Sequence, residues 1–408
     1  MKDERLVTFV CEFQSQNYLV FHPVSFILHP NSVLNLSSNM THRRKILRFA
    51  CLSLLLAGGI ALCVVRWQAW FGNPPEPALT GDTIAYQFRT FADSATYAQR
   101  PKTPHYQILL LGDVHNSLTR ADYQKIAHEA GDLAAYAQLG DFVERCYPFY
   151  FQQLYRELQG TPFDSLPLIN CPGNHEYRKG LRRTLPDLWY QNFPQPLNGP
   201  QDFLGSTYYI DFPNLRFIVL DTNGMQWLHE YMRTLTWLNG VMAEANDKFI
   251  VVIMHHPVYS CGAGRFNTTI YTTFAHALRD ADLVFAGHDH NYARRLPFVN
   301  TNAATKFYLN KVNPHDTRIA SGCRFYELLT IAGDTLIMKS RMLHDTLPST
   351  LYDEVQLIRL SDGTRRITDL YRDSVEIILL PERYAHRNDL KVRRFRNRRE
   401  TRKDRAQE

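Results

Sequence analysis

Five apolar runs in this chain each end in a short turn that carries metal-binding side chains. Ile108-Leu109-Leu110-Leu111 leads into Gly112-Asp113-Val114-His115-Asn116, and Ala137-Gln138-Leu139 leads into Gly140-Asp141-Phe142-Val143-Glu144-Arg145. Leu168-Ile169-Asn170-Cys171-Pro172 precedes Gly173-Asn174-His175-Glu176, Ile250 to Met254 precedes His255-His256-Pro257, and Leu283 to Ala286 precedes Gly287-His288-Asp289-His290-Asn291. In α/β sheets, ligands gather beyond the carboxyl ends of the strands. Five such ends are expected to converge on one rim. Between them, Leu118 to Ala135, Tyr147 to Leu158 and Trp227 to Ala245 carry helical periodicity. Tyr208 to Phe212 and Leu215 to Leu220 read as a hairpin joined at Pro213-Asn214, and Phe307 to Leu309, Tyr326 to Ile331, Thr335 to Arg341 and Val355 to Leu360 as late strands. This alternation predicts an α/β layered domain with more antiparallel strands toward its end.

The turns offer Asp113, His115, Asp141, Asn174, His255, His288 and His290. Carboxylates, imidazoles and an amide oxygen together suit borderline divalent or trivalent metals. One ion takes roughly four to six ligands, so this set is too large for one. With one carboxylate bridging, it suits a pair ~3.5–4 Å apart, the spacing of two-metal hydrolytic sites. A lone histidine at a strand end is most often a hydrogen-bonded core residue. It is the joint pattern that favours the metal reading.

The pattern resembles the calcineurin-like metallophosphoesterase superfamily, which reads Asp-x-His, Gly-Asp-x-x-Asp-Arg, Gly-Asn-His-Glu or Asp, a lone His, then Gly-His-x-His. Here residues 116–139 form a gap of 24 and residues 147–172 a gap of 26, and the likeness spans roughly 105–345. The resemblance implies a four-layer α/β/β/α sandwich. It implies one metal held by Asp113, His115, Asp141 and His290, and another by Asp141, Asn174, His255 and His288, with Asp141 bridging. The ions would be iron, manganese or zinc, and a hydroxide between them would attack phosphorus in line. His175 would be the catalytic histidine at the leaving oxygen, Glu144 the carboxylate that orients it, and Arg145 a bidentate contact to phosphate. Glu144 replaces the commoner Asp. Purple acid phosphatases carry Tyr at that position and lack the first His, so their coloured iron–tyrosinate site is not expected. Cys146 stands where protein phosphatases carry Gly.

The expected activity is hydrolysis of phosphate esters, with a phosphomonoesterase as the first reading. The alternatives are a phosphodiesterase or pyrophosphatase acting on nucleotides or lipid head groups, and an inactive binding module that kept the fold.

The rest of the chain bears on location. Phe49 to Val65 is a run of 17 residues without charge, preceded by Arg43, Arg44, Lys45 and Arg48. That length is at the lower limit for crossing a bilayer, and the basic flank predicts a cytoplasmic N-terminal side. A cleaved signal peptide is the competing reading, against which Trp67, Trp70 and Phe71 resemble an interfacial aromatic belt. The expected organisation is an N-terminal segment 1–45, a transmembrane signal-anchor 46–66, a linker 67–104, the catalytic domain 105–345, a C-terminal strand extension 346–380 and a basic tail 381–408. Met40 precedes the basic flank in the manner of a signal-anchor start, so residues 1–39 are expected to be a start-site artefact. The catalytic domain is expected outside the cytoplasmic membrane, in a bacterial envelope, with the membrane and a phosphate ester as partners.

Composition excludes several classes. With 45% hydrophobic, 12% aromatic and 21% charged residues, the chain is neither disordered nor a coiled coil. Seven Cys are too few for a disulfide scaffold. A Cys146–Cys171 bridge and free buried thiols both remain open readings. The net charge of +6 resides in the tail, where 11 Lys and Arg face 5 Asp and Glu, so no specific nucleic-acid partner is expected.

Overall fold

The computed structural model describes residues 7–13, 19–25, 72–371 (apart from 80, 181, 312 and 314) and 376–378. The expected membrane segment 46–66 and the basic tail 381–408 lie outside the described residues. Among those described, no helix is long and apolar enough to cross a membrane. The chain divides into two compact units, residues 1–72 and 73–408. In the first, β1 (Val7–Phe13) pairs antiparallel with β2 (Leu19–Ser25).

The second unit holds two mixed sheets. One has seven strands in the order β16-β15-β14-β13-β3-β4-β5 and the other eight in the order β17-β12-β10-β11-β9-β8-β7-β6. In the first sheet β3 (His105–Leu111), β4 (Ala135–Gln138) and β5 (Leu168–Asn170) run parallel. Beside them lie β13 (Arg324–Ala332), β14 (Thr335–Leu343), β15 (Thr350–Arg359) and β16 (Arg365–Asp369), all antiparallel. In the second sheet β7 (Leu215–Leu220), β8 (Phe249–Met254), β9 (Leu283–Ala286) and β11 (Phe298–Asn300) run parallel. The flanking strands are β6 (Tyr208–Phe212), β10 (Tyr292–Arg295), β12 (Arg318–Ala320) and β17 (Glu376–Ile378).

The apolar strands are continuous runs because both faces of each sheet are covered. Alternate residues sort cleanly between layers. Ile108 and Leu110 meet Phe217, Val219, Val251 and Ile253 in a core between the sheets. Leu109 and Leu111 face the opposite way, against α2 (Arg120–Ala130) and α3 (Pro148–Leu158), through Tyr123, Ile126, Phe151 and Leu154. Ile218, Leu220, Val252 and Met254 pack on α5 (Leu228–Ala243) and α6 (Thr268–Phe274), through Leu238, Val241, Ile270 and Phe274. Three apolar interfaces therefore separate four layers, helix, sheet, sheet and helix. Two short helices, α1 (Ser94–Ala98) and α4 (Asp187–Asn192), complete the unit.

Local chemistry sets the helix starts. Thr119 caps α2 in a reciprocal box with Asp122, Pro148 opens α3, and Asn267 caps α6.

Phe307 to Leu309, expected as a strand, is loop. Its backbone pairs instead with the 261–263 turn, through Ala263 N–H to Leu309 O (2.9 Å) and Lys311 N–H to Cys261 O (2.6 Å). Within the stretch read as linker, Phe88 and Phe91 are buried and Thr90 bridges to Leu168. The stretch read as an extension supplies β15 and β16. Cys146, Cys171, Cys261 and Cys323 are free thiols.

Candidate metal centre

The parallel strands of both sheets deliver the expected residues to one rim. Asp113 and His115 follow β3, Asp141 follows β4, Asn174 and His175 follow β5, His255 follows β8, and His288 and His290 follow β9. The turns are tight enough to hold ordinary residues in left-handed backbone: Asp113 at φ 51°, His115 at 49°, Asp141 at 53°, His288 at 68° and His290 at 51°. Such conformations cost on the order of 1 kcal/mol or more each and cluster at functional sites. Gly173 is required by contact, since a Cβ there would lie 2.2 Å from the Asp141 amide nitrogen. Gly140, at φ +89°, would put a Cβ 2.5 Å from His255 Nδ1.

Imidazole nitrogens face each other across this rim. His115 Nε2 lies 3.2 Å from His290 Nε2, and His255 Nε2 lies 3.2 Å from His288 Nδ1. Asp141 Oδ2 is 3.4 Å from His115 Nε2 and 3.3 Å from His255 Nε2, between the two pairs. Asn174 Oδ1 is 3.1 Å from His255 Nε2, and Asp113 Oδ1 is 3.6 Å from His290 Nε2. Ligands bound at ~2.1 Å with angles near those of a tetrahedron or octahedron are themselves about 3.0–3.4 Å apart. Asp113 Oδ2 is buried without a hydrogen-bond partner among the described residues. Asp113, His115, Asp141 and His290 form one group of ligand atoms able to surround an ion. The donor set and its spacing fit metal ions.

The outward nitrogens fix the tautomers. His255 Nδ1 donates to Leu139 O (3.0 Å) and His290 Nδ1 to Lys306 O (2.9 Å), so each turns the Nε2 lone pair into the rim. His115 Nδ1 meets Glu144 Oε2 at 3.0 Å with the same result. His288 is different. Arg265 Nη2 lies 3.0 Å from its Nε2 and 2.6 Å from its carbonyl oxygen. A guanidinium only donates, so this Nε2 accepts and Nδ1 carries the proton.

Crowding shifts the ionisations. Burial, reinforced by the Asp141 charge, pushes the Asp113 carboxyl up to about 7. Burial also opposes ionisation of Asp141, but His255, His175 and His115 outweigh it and hold its carboxyl well below the usual range. Burial holds His290 down to about 2, and the neighbouring His115 adds to this. Burial opposes a charge on His175 as well, yet its Glu144 hydrogen bond and the Asp141 charge keep its pKa above the ordinary value.

His175 Nδ1 is 2.7 Å from Glu144 O and 3.5 Å from Glu144 Oε1. Glu144 thus braces both His115 and His175, where the sequence assigned it to His175 alone. Arg145 is half-buried at the rim. Among the described residues, no hydrogen bond or ion pair ties its guanidinium to the cluster. His256 packs: Thr222 Oγ1 holds its ring at 3.0 Å, and the ring lies against His288 with centroids 4.4 Å apart.

Three positions carry more than the sequence indicated. Glu176 accepts from the amides of Asp141 (2.9 Å), Val143 (3.1 Å) and Gly173 (2.7 Å), clamping two ligand loops. Asp289 accepts from Ser260 Oγ, Cys261 N and Gly262 N at 2.7–2.9 Å, tying the loop after β8 to the His288–His290 turn. Arg265 rests on that loop, 3.4 Å from Asp289 Oδ1 and 4.2 Å above the Tyr308 ring. Glu176 and Asp289 sit inside the motifs and could have been singled out there. Arg265 has no motif to mark it.

Residues 106–292 match the model of calcineurin-like phosphoesterases. Over this segment the chain is similar to that family. It is 28% identical over 195 residues to acid phosphatase type 7 of Mus musculus, covering 41% of this chain and 42% of that protein. It is 30% identical over 135 residues to the glycerophosphodiester phosphodiesterase GpdQ of Enterobacter lignolyticus, covering 31% of this chain and 45% of that protein. The chain thus spans less than half the length of these curated relatives. Similar solved structures include a purple acid phosphatase from yellow lupin (Lupinus luteus), with 14% identity, a TM-score of 0.49, and coverage of 65% of this chain and 56% of that one.

Proposed function

We propose that this protein is a calcineurin-like phosphoesterase and a metal-dependent hydrolase of phosphate esters, a phosphomonoesterase anchored by residues 46–66 with its catalytic domain outside the cytoplasmic membrane. The observation that carries the chemistry is the pair of facing imidazole contacts, both at 3.2 Å, arranged about Asp141. One ion would be held by Asp113, His115, Asp141 and His290, and a second by Asp141, Asn174, His255 and His288. When bound, they would lend Lewis-acid charge to the phosphoryl oxygens and lower the pKa of an attacking water.

The chain's own residues supply the rest. His175 Nδ1–H is committed to the Glu144 carbonyl, so a proton for the leaving oxygen must reside on Nε2. That requires the imidazolium, which Glu144 and Asp141 favour. A ligating His288 Nδ1 requires its proton on Nε2, so Arg265 must leave that nitrogen. Its Nη2 then becomes available to a phosphate oxygen, while Asp289 and Tyr308 keep the guanidinium at the rim. Arg145 supplies a second cation there.

A phosphodiesterase is the second reading, favoured by the likeness to GpdQ. The test is turnover of para-nitrophenyl phosphate beside bis-para-nitrophenyl phosphate after loading with Mn, Zn or Fe, with Asp141→Asn as control. Monoester turnover lost in the variant supports the first reading, and diester preference the second. Protein that binds no metal would overturn both.

A further inference from the structure

The folded unit carries a second feature, formed by the loop that follows Asn174 and His175 and by the start of α5. Loop 178–183 exposes Arg178, Lys179, Arg182 and Arg183, and the start of α5 exposes Trp227, Leu228 and Met232. Trp227 is 58% exposed and Leu228 76%, which is unusual for large apolar side chains at the start of a packed helix. The two segments are one surface. Arg183 N donates to Gln226 Oε1, Gln226 Nε2 donates back to Arg183 O, both at 3.0 Å, and Arg182 pairs with Glu230 at 2.5 Å. Glu230 also accepts from the amides of Gln226 and Trp227, so the apolar pair is held outward on a rigid helix start. Among the described residues, Arg178, Lys179 and Arg183 have no carboxylate partner.

Two observations say what this surface meets. The first is its chemistry. A tryptophan and a leucine on one surface with Lys and Arg that have no carboxylate partner among the described residues match the boundary between acyl chains and anionic head groups. The second is where the chain enters. Asn73, the first residue of the folded unit, exchanges two hydrogen bonds with Lys179, with Lys179 N–H to Asn73 Oδ1 at 2.8 Å and Asn73 Nδ2 to Lys179 O at 3.1 Å. Tyr147 OH holds the next residue by its carbonyl, Pro74 O, at 2.7 Å. Seven residues, 66–72, join the uncharged run ending at Val65 to this point, a reach of roughly 25 Å when fully extended. The same face adjoins the metal-centre loops, because Arg178 follows His175 by three residues and Arg183 is bonded to Gln226.

We propose that loop 178–183 and the start of α5 form a docking face that rests the folded unit on an anionic membrane surface, with Trp227 and Leu228 entering the head-group layer. The metal centre then opens toward phosphate esters carried at that surface, a consequence that rests on the phosphoesterase reading. The occupant is the lipid surface rather than a second copy of the chain.

The full chain, metal-loaded and reconstituted in vesicles of phosphatidylcholine and phosphatidylglycerol with brominated acyl chains, provides the test. Subtracting the emission of Trp227→Phe isolates Trp227 from Trp67, Trp70, Trp189 and Trp237. Docking predicts that this difference emission loses about half or more of its intensity relative to unbrominated vesicles. It also predicts that the Arg178→Glu/Lys179→Glu double variant abolishes the loss while leaving para-nitrophenyl phosphate turnover in detergent unchanged. Trp227 emission untouched by brominated lipid overturns the proposal, including the case in which it shifts to the blue without quenching because a second copy covers it. Turnover in detergent is read on the same sample, so a failed docking face and a failed phosphoesterase reading give different results.

Discussion

Glu327 should make this protein lose stability as the solution becomes alkaline. It lies on β13, opposite Leu110 of β3 and Ser340 of β14, and is fully buried. Thr301 Oγ1 donates to its Oε1 at 2.6 Å, and the Ser340 and Thr301 hydroxyls favour the charged form without offsetting burial. The nearby cation Arg294 is already bound by Asp353 (2.5 Å) and Asp369 (2.6 Å). Burial therefore pushes the Glu327 carboxyl from 4.5 up to about 8, and the Asp353 charge adds to the effect. The native state keeps a proton that the unfolded chain releases above about 4.5. Stability is fully present below that pH and declines as pH rises through about 8. At ~1.4 kcal/mol per pH unit, the whole span is worth roughly 5 kcal/mol. Glu327→Gln keeps an acceptor for Thr301 and cannot ionise. Urea unfolding of the full chain, followed by tryptophan emission, should show the variant gaining on the wild type between about pH 5 and about pH 9. The midpoint difference should move by roughly 1–2 M. A difference that stays constant across that window, or moves the other way, would refute the reasoning.

The site makes sharper demands. His175→Ala should lower kcat by ~10²–10⁴-fold while metal content, measured by elemental analysis, stays at the wild-type level. Gly173→Ala forces a Cβ to within 2.2 Å of the Asp141 amide, so the bridging position shifts. Bound metal should drop by about tenfold or more at a fixed competing chelator concentration. Arg294→Met leaves Asp353 and Asp369 buried without their cation and should cost ~3–5 kcal/mol in urea unfolding.

Position along the chain proved a good guide where chemistry and burial coincide. The strands β7, β8 and β9 and the Pro213-Asn214 turn follow the apolar pattern, because both faces of those strands are buried and nothing competes with periodicity. The seven candidate ligands were legible because each sits one to four residues past such a strand. Charged residues inside strands defeated the same logic. Tyr-Ala-Arg-Arg does not read as β10, yet Arg294 is fully buried because Asp353 and Asp369 arrive from two other strands about 60 and 75 residues later. Glu327 reads as the solvent face of an alternating strand, but a helical layer covers one side of β13 and the second sheet covers the other. Arg265 and Tyr308 lie in loops that touch only because the 261–263 turn pairs with Leu309 and Lys311. In each case the decisive partner is distant in the chain, and no local window contains both halves of the interaction. The residues gathered at the rim were therefore readable from sequence, while those that set their protons and shape the rim became readable only in the fold. That same division should hold in mutagenesis. Asp141→Asn should remove metal outright, whereas Asp289→Asn should leave metal bound. The weaker acceptor at 289 should loosen the 260–262 loop and Arg265, raising KM several-fold with little change in kcat.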